Sequence, residues 1–191
     1  MKALAVHRWP GPTPMPRDGL FAILIDTRTA AAQRDAARRQ VRLAAREAVA
    51  AVLGVPVADI AITSTPGTPP RLLLAGAQSG VGISITHEDH YSLAAINLHG
   101  PIGADIMRVQ NIPDWQAVAR DYLGPAATAA LHATSHRPQA FANAWTQREA
   151  ALKYHALELS EWQADLPGVS ISLILPDPDL AGHIHIGDKT A

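Results

Sequence analysis

The chain has 191 residues, 48% of them apolar, with 16 basic against 17 acidic side chains. That length supports one substantial domain or two small halves sharing a core, and the near-zero net charge gives no global argument for nucleic acid or an anionic membrane. The absence of cysteine excludes disulfides, thiolate zinc sites and thiol nucleophiles.

The opening residues, Met1 to Pro10, hold too short an apolar run for a signal peptide. No run is long enough to span a bilayer, so a soluble cytoplasmic protein is expected. Pro10, Pro12, Pro14 and Pro16 mark an extended lead-in. Residues 20–25 read as a buried strand. Residues 30–53 read as one long helix, with Ala37, Val41, Ala44, Ala48 and Val52 at helical spacing and Gly54 and Pro56 ending it. Arg34, Arg38, Arg42 and Arg46 form a second stripe on it. After a turn-rich stretch, Thr65-Pro66-Gly67-Thr68-Pro69-Pro70, come three short strands, 81–86, 92–98 and 102–107. The turn segments 87–90 and 99–101 make them read as a meander of adjacent antiparallel strands. Helical patterns cover 115–123, 126–133 and 139–159, and a strand pair, 169–175 and 183–186, closes the chain. This order predicts an α+β fold with two similar halves, residues 1–100 and 101–191, in one globular unit.

Chemistry concentrates at a few positions. Glu149 and Lys153 lie four apart on one predicted helix face, an arrangement that is usually a plain exposed pair. Here Phe141, Trp145, Leu152 and Ala156 place an apolar stripe beside them, which puts the charges at the border of a packed face. Asp105 interrupts an otherwise apolar strand, where aspartate is depleted. Met107 points the same way from that strand, but its thioether is a poor Mg²⁺ ligand and is expected to pack. Two carboxylates and an ammonium converging from strand and helix suit a metal-bound phosphate. His87, following a strand beside Thr86, offers further hydrogen bonds to phosphate. The run His87-Glu88-Asp89-His90 reads as turn chemistry rather than a metal cluster. Five arginines (Arg34, Arg38, Arg39, Arg42, Arg46) against Asp35 and Glu47 leave a local positive excess suited to bidentate phosphate binding. DNA binding, the rival use of such a helix, lacks a helix-turn-helix to support it. The pairs His132/His136 and His183/His185 lack an obvious third metal ligand.

Three blocks together carry a family resemblance. They are Ile83-Ser84-Ile85-Thr86-His87, Gly103-Ala104-Asp105-Ile106-Met107, and Trp145-Thr146-Gln147-Arg148-Glu149-Ala150-Ala151-Leu152-Lys153. In order and spacing they resemble the Ser-His, Gly-x-Asp-x-Glu and Trp-x-x-Lys-Glu-Ala-x-x-Lys blocks of the 4′-phosphopantetheinyl transferases of the larger, Sfp-like type. The resemblance implies transfer of the phosphopantetheine arm of coenzyme A to a serine of an apo acyl, peptidyl or aryl carrier protein, releasing 3′,5′-ADP. It implies Mg²⁺, or Mn²⁺, held by Asp105 and Glu149, with Glu149 as base and Lys153 on the pyrophosphate. It further implies Thr86 and His87 on phosphate oxygens and Arg42 or Arg46 on the 3′-phosphate. A monomer with no nucleic-acid or membrane partner follows. Three departures stand out. Met107 replaces a strand carboxylate. Gly67-Thr68-Pro69-Pro70 replaces a Gly-Lys-Pro, leaving Arg71 to supply the lost cation. His155-Ala156 stands where the family has a glycine soon after the helix lysine. These departures define the alternative, a coenzyme A or carrier-protein binder of impaired catalysis.

Overall fold

A computed structural model describes residues 3–28, 34–65 and 68–188. Residues 30–33 of the predicted first helix, Pro66 and Gly67 of the turn segment, and the side chain of Arg34 lie outside the described residues.

Nine strands form one sheet, and long helices pack against it. In chain order they are β1 (Ala3–Arg8), β2 (Leu20–Asp26), α1 (Arg34–Leu53), β3 (Ile60–Thr63), β4 (Arg71–Leu74), β5 (Ala77–Glu88), β6 (Tyr91–Asn97) and β7 (Gly103–Arg108). There follow α2 (Trp115–Val118), a π-helical turn (Ala119–Leu123), α3 (Gly124–Ala133), α4 (Arg137–Tyr154), β8 (Val169–Ile174) and β9 (Leu180–Ile186). The spatial order is β3-β4-β5-β6-β2-β1-β8-β9-β7.

Two stretches repeat one topology. A strand leads through a long helix into a hairpin whose second strand pairs antiparallel with the first: β2, α1, β5–β6 and then β7, α4, β8–β9. β1 joins them, running parallel to β2 on one side and to β8 on the other.

The apolar run of β2 reflects burial on both faces. Phe21, Ile23 and Ile25 pack with Val41, Ala45, Ala48 and Val49 of α1. Leu20, Ala22 and Leu24 enter a second core shared with Ile106 of β7, Ile171 of β8 and Ile184 of β9. A sheet strand hidden on both faces needs no polar alternation.

The meander expected over residues 81–107 is not formed. β5 and β6 make a hairpin turning at Asp89 and His90, but β7 pairs with β9 instead of β6. The sheet curls so that β7 lies across the face of β5 opposite α1, and the β5 side chains serve its free edge. Ser84 Oγ accepts from the Ala104 N–H (2.9 Å), and Glu88 Oε1 accepts from the Arg108 N–H (2.9 Å). Two backbone donors that would otherwise be buried unpaired are satisfied this way. α4 also ends earlier than predicted, at Tyr154 rather than near Leu159. β1, β3 and β4 are absent from the sequence reading.

Candidate active site

β7 and α4 build the centre of the site. Gly103, Asp105 and Met107 share the face of β7 that meets α4. A β-carbon on Gly103 would collide with the carbonyl of Ala150 and the amide nitrogen of Tyr154. The helix backbone therefore rests directly on the strand, and Lys153 comes down over Asp105. Lys153 Nζ donates to Asp105 Oδ1 at 2.7 Å. Thr86 Oγ1 reaches the same oxygen from β5 at 2.9 Å, leaving Oδ2 outside both bonds. Asp105 is 7% exposed, so its charge is lodged in the interior with an ammonium partner.

Glu149, one helical turn before Lys153, is half-buried. Burial pushes its carboxyl above the ordinary carboxylate range, and the Asp105 charge adds to this; Lys153 and Arg148 oppose it. The Asp105 charge thus acts on Glu149, and one ammonium only partly balances the two carboxylates. That is the donor chemistry a hard cation completes. Among the described residues no group of three or more His, Cys, Asp or Glu side chains is placed to hold a metal alone. Met107 packs against the cluster of Trp115, Leu123 and Phe141.

His87 lies within strand β5, not in a turn, and the strand sends it to the face opposite Thr86. Its Nδ1 is 2.7 Å from Ser92 Oγ. Burial lowers its pKa, as do the charges of Arg38, Lys153 and Arg42. It lines a groove of about 720 Å³ with Arg38, Arg39, Arg42, Thr65 and Thr68. Arg42 Nη2 donates to Ser64 Oγ within that groove. Arg46 is engaged elsewhere: its Nε donates to the Ile60 carbonyl at 2.6 Å and its Nη2 to the Val57 carbonyl at 3.2 Å, fastening α1 to β3. Arg71 is exposed on β4 and is not among the residues lining the groove. A second cavity of about 230 Å³, beside Lys153, shares Pro70 and Ile85 with the groove.

Residues 101–186 match the family model described as the 4′-phosphopantetheinyl transferase superfamily. This part of the chain is similar to that superfamily. The match runs from just before β7 to the end of β9 and contains Asp105, Glu149 and Lys153. It supports a transferase. A search of curated proteins found no match. No helix among the described residues is long and apolar enough to cross a membrane.

Within the matched segment, His183, read from the sequence only as half of a histidine pair without a third metal ligand, takes a packing role. It lies opposite Asp105 in the β7–β9 register. Its Nδ1 is 2.8 Å from Thr146 Oγ1 of α4, and its Nε2 is 3.1 Å from Ser172 Oγ of β8. The ring ties α4 to the sheet one turn before Glu149, and burial lowers its pKa to about 4. His185 instead meets Ser170 Oγ and the Pro167 carbonyl. Both imidazoles are used in packing, and a search for metal ligands alone could not have found that role. Glu88, read from the sequence as part of a turn, lies within β5 instead. Burial raises its carboxyl, Asp89 and Asp105 raise it further, and the Arg108 N–H and charge oppose this. Its alternation with Ser84 and Thr86 was the available signal.

Proposed function

We propose that this protein moves the 4′-phosphopantetheine arm of coenzyme A onto a serine of an apo acyl, peptidyl or aryl carrier protein, releasing 3′,5′-ADP. On this reading it is a soluble cytoplasmic monomer of the Sfp-like type, with residues 1–100 and 101–191 as its two halves. The observation that carries the proposal is that the arginine groove and the cavity beside Lys153 are neighbours, sharing Pro70 and Ile85 in their walls. A ligand with a phosphate at one end and a pyrophosphate further along matches that track.

Arg38 and Arg42 would take the 3′-phosphate as charge-assisted donors. Arg46 and Arg71 fit that task less well, being bound to carbonyls and exposed on β4. His87 would meet phosphate oxygens from the groove side. Thr86 would orient Asp105, a different task from the phosphate contact the resemblance implies. Asp105 and Glu149 would hold Mg²⁺ or Mn²⁺ jointly with substrate oxygens. When bound, the ion would neutralise charge on the pyrophosphate and act as a template. Glu149, made more basic by burial and the Asp105 charge, suits removal of the serine proton. Lys153 would donate to the departing phosphate, where charge accumulates.

The test is incubation with coenzyme A, Mg²⁺ and a panel of apo-carriers, read by intact mass. The expected result is a gain of one phosphopantetheine, abolished in Asp105→Ala and Lys153→Ala variants that retain a native circular-dichroism spectrum. Met107, packed where the family carries a carboxylate, favours a second reading as a coenzyme A binder. Binding by calorimetry with no mass gain on any carrier would select it.

A further inference from the structure

Ser92 is fully buried in β6, directly across from His87 of β5. Side chains two apart on a strand share a face. On this face Ala94 and Ile96 of β6 and Ile83 and Ile85 of β5 pack in the core under α1. Ser92 therefore ends an apolar row with a hydroxyl, and a buried hydroxyl needs a partner. Its Oγ is 2.7 Å from His87 Nδ1, and it has no other side-chain partner among the described residues.

One proton decides what this contact does. A hydroxyl carries a single proton, and a neutral imidazole carries one on either of its two ring nitrogens. With His87 Nδ1 as its partner, the Ser92 hydroxyl donates to it. Nδ1 then presents its lone pair, and the ring proton sits on Nε2. The ring lines the arginine groove, where Nε2 has no partner among the described residues.

The surroundings hold the ring neutral. Burial lowers the His87 pKa, and the charges of Arg38, Lys153 and Arg42 lower it further. α1 also brings Arg39 and one acid, Asp35, to the groove, and Ser64, Thr65 and Thr68 across it carry no charge. Glu88, next on β5, points to the opposite face. A neutral ring with its proton on Nδ1 would turn a lone pair towards the groove and repel an anion there. With the proton on Nε2, the ring adds a donor to those of the arginines.

We infer that Ser92 is a positioning residue: its buried hydroxyl fixes the tautomer and angle of His87, so that Nε2–H donates to a phosphate oxygen of the ligand in the arginine groove. This role deepens the transferase reading and rests on it for the identity of the ligand, a nucleoside 3′,5′-bisphosphate group. Ser92 touches neither that ligand nor the reacting atoms and acts only through the imidazole.

Nitrogen NMR of the imidazole in the full chain, without ligand at about pH 8, should find the His87 proton on Nε2. In Ser92→Ala a measurable share should move to Nδ1. Calorimetric titration with 3′,5′-ADP then reads the consequence. Ser92→Ala should bind about three- to tenfold more weakly than the parent at that pH, the size of one lost hydrogen bond. The gap should narrow as the pH is lowered to about 5, because an imidazolium carries protons on both nitrogens with or without Ser92. In a His87→Ala background the Ser92 substitution should change nothing further. A loss of packing alone would persist at low pH and without the ring. A proton on Nδ1 in the parent, equal affinities at about pH 8, a gap that does not narrow, or an effect that survives removal of His87 would each overturn the assignment. A parent chain with the Nε2 proton but no affinity for 3′,5′-ADP would overturn the function proposed above, and the phosphate contact with it.

Discussion

Ala156 takes φ +54°, in the left-handed region, just past the end of α4. Its N–H donates to the Lys153 carbonyl (3.2 Å) and the Leu157 N–H to the Leu152 carbonyl (2.9 Å). This is the paired closure that usually places glycine at that position. An L-residue there costs roughly 1–2 kcal/mol, partly offset by the smaller unfolded-state entropy of alanine. Ala156→Gly should therefore stabilise the fold by about 0.5–1 kcal/mol and raise the melting temperature by a few degrees in calorimetry. A lower melting temperature would show that the closure tolerates alanine without strain. Glu149, the base in the proposed reaction, is held at a cost to stability near neutral pH. Its folded pKa lies above the ordinary 4.5, so the folded state holds its proton more tightly than the unfolded chain. Its contribution is most favourable below pH 4.5 and is lost as pH rises through the raised value. Glu149→Gln should accordingly melt higher than the parent at pH 7.5, with the difference shrinking towards pH 4, while transfer is lost. A gap that widens on acidification would contradict the shift.

At the scale of elements, the seating of α4 on β7 is what assembles Asp105, Glu149 and Lys153. Gly103 permits it, because the Ala150 carbonyl occupies the place of a β-carbon. Gly103→Ala should cost about 2–3 kcal/mol in urea unfolding, as overpacked sites do. It should also cut the transfer rate of the remaining folded protein, since the helix must lift and carry Lys153 from Asp105. A stability loss with an unchanged rate would separate the seating from the site. These elements were legible to different degrees. β2 and α1 announce themselves by an unbroken apolar run and by helical periodicity, whereas α4 has almost no amphipathic pattern and, like the residues at the site centre, is legible through its motif block. β1, β3 and β4 are short and carry polar or charged residues, so their pattern is weak. The partner of β7 was not legible at all. Neighbours in sequence suggest a meander, but Ala104 and Ile106 must enter the second core, which β7 reaches only by crossing the face of β5. Whether Thr86 and His87 act together was equally hidden until the length of β5 settled their alternation.

The whole molecule is held by a core that ignores the midpoint of the chain. Leu4 of β1, Leu20 and Leu24 of β2 and Leu93 of β6 pack in one cluster with Ile102, Ile106, Ile171 and Ile184. β1 adds hydrogen bonding in both directions, parallel to β2 and to β8. Cutting between residues 100 and 101 would strip this cluster into two open apolar faces, and β7 would lose the Ser84 and Glu88 acceptors for its free edge. The repeated strand–helix–hairpin topology therefore should not mean two folding units. We expect residues 101–191 expressed alone to remain unfolded or aggregate, although they contain the matched superfamily segment. In the full chain, tryptophan fluorescence and far-ultraviolet circular dichroism should trace one coincident unfolding transition. Leu4→Ala, at a position 3% exposed, should move that single transition by about 2–4 kcal/mol. Two separated transitions, or a soluble, folded C-terminal fragment, would mean that each half holds its own core and that the site is assembled by docking two independent pieces.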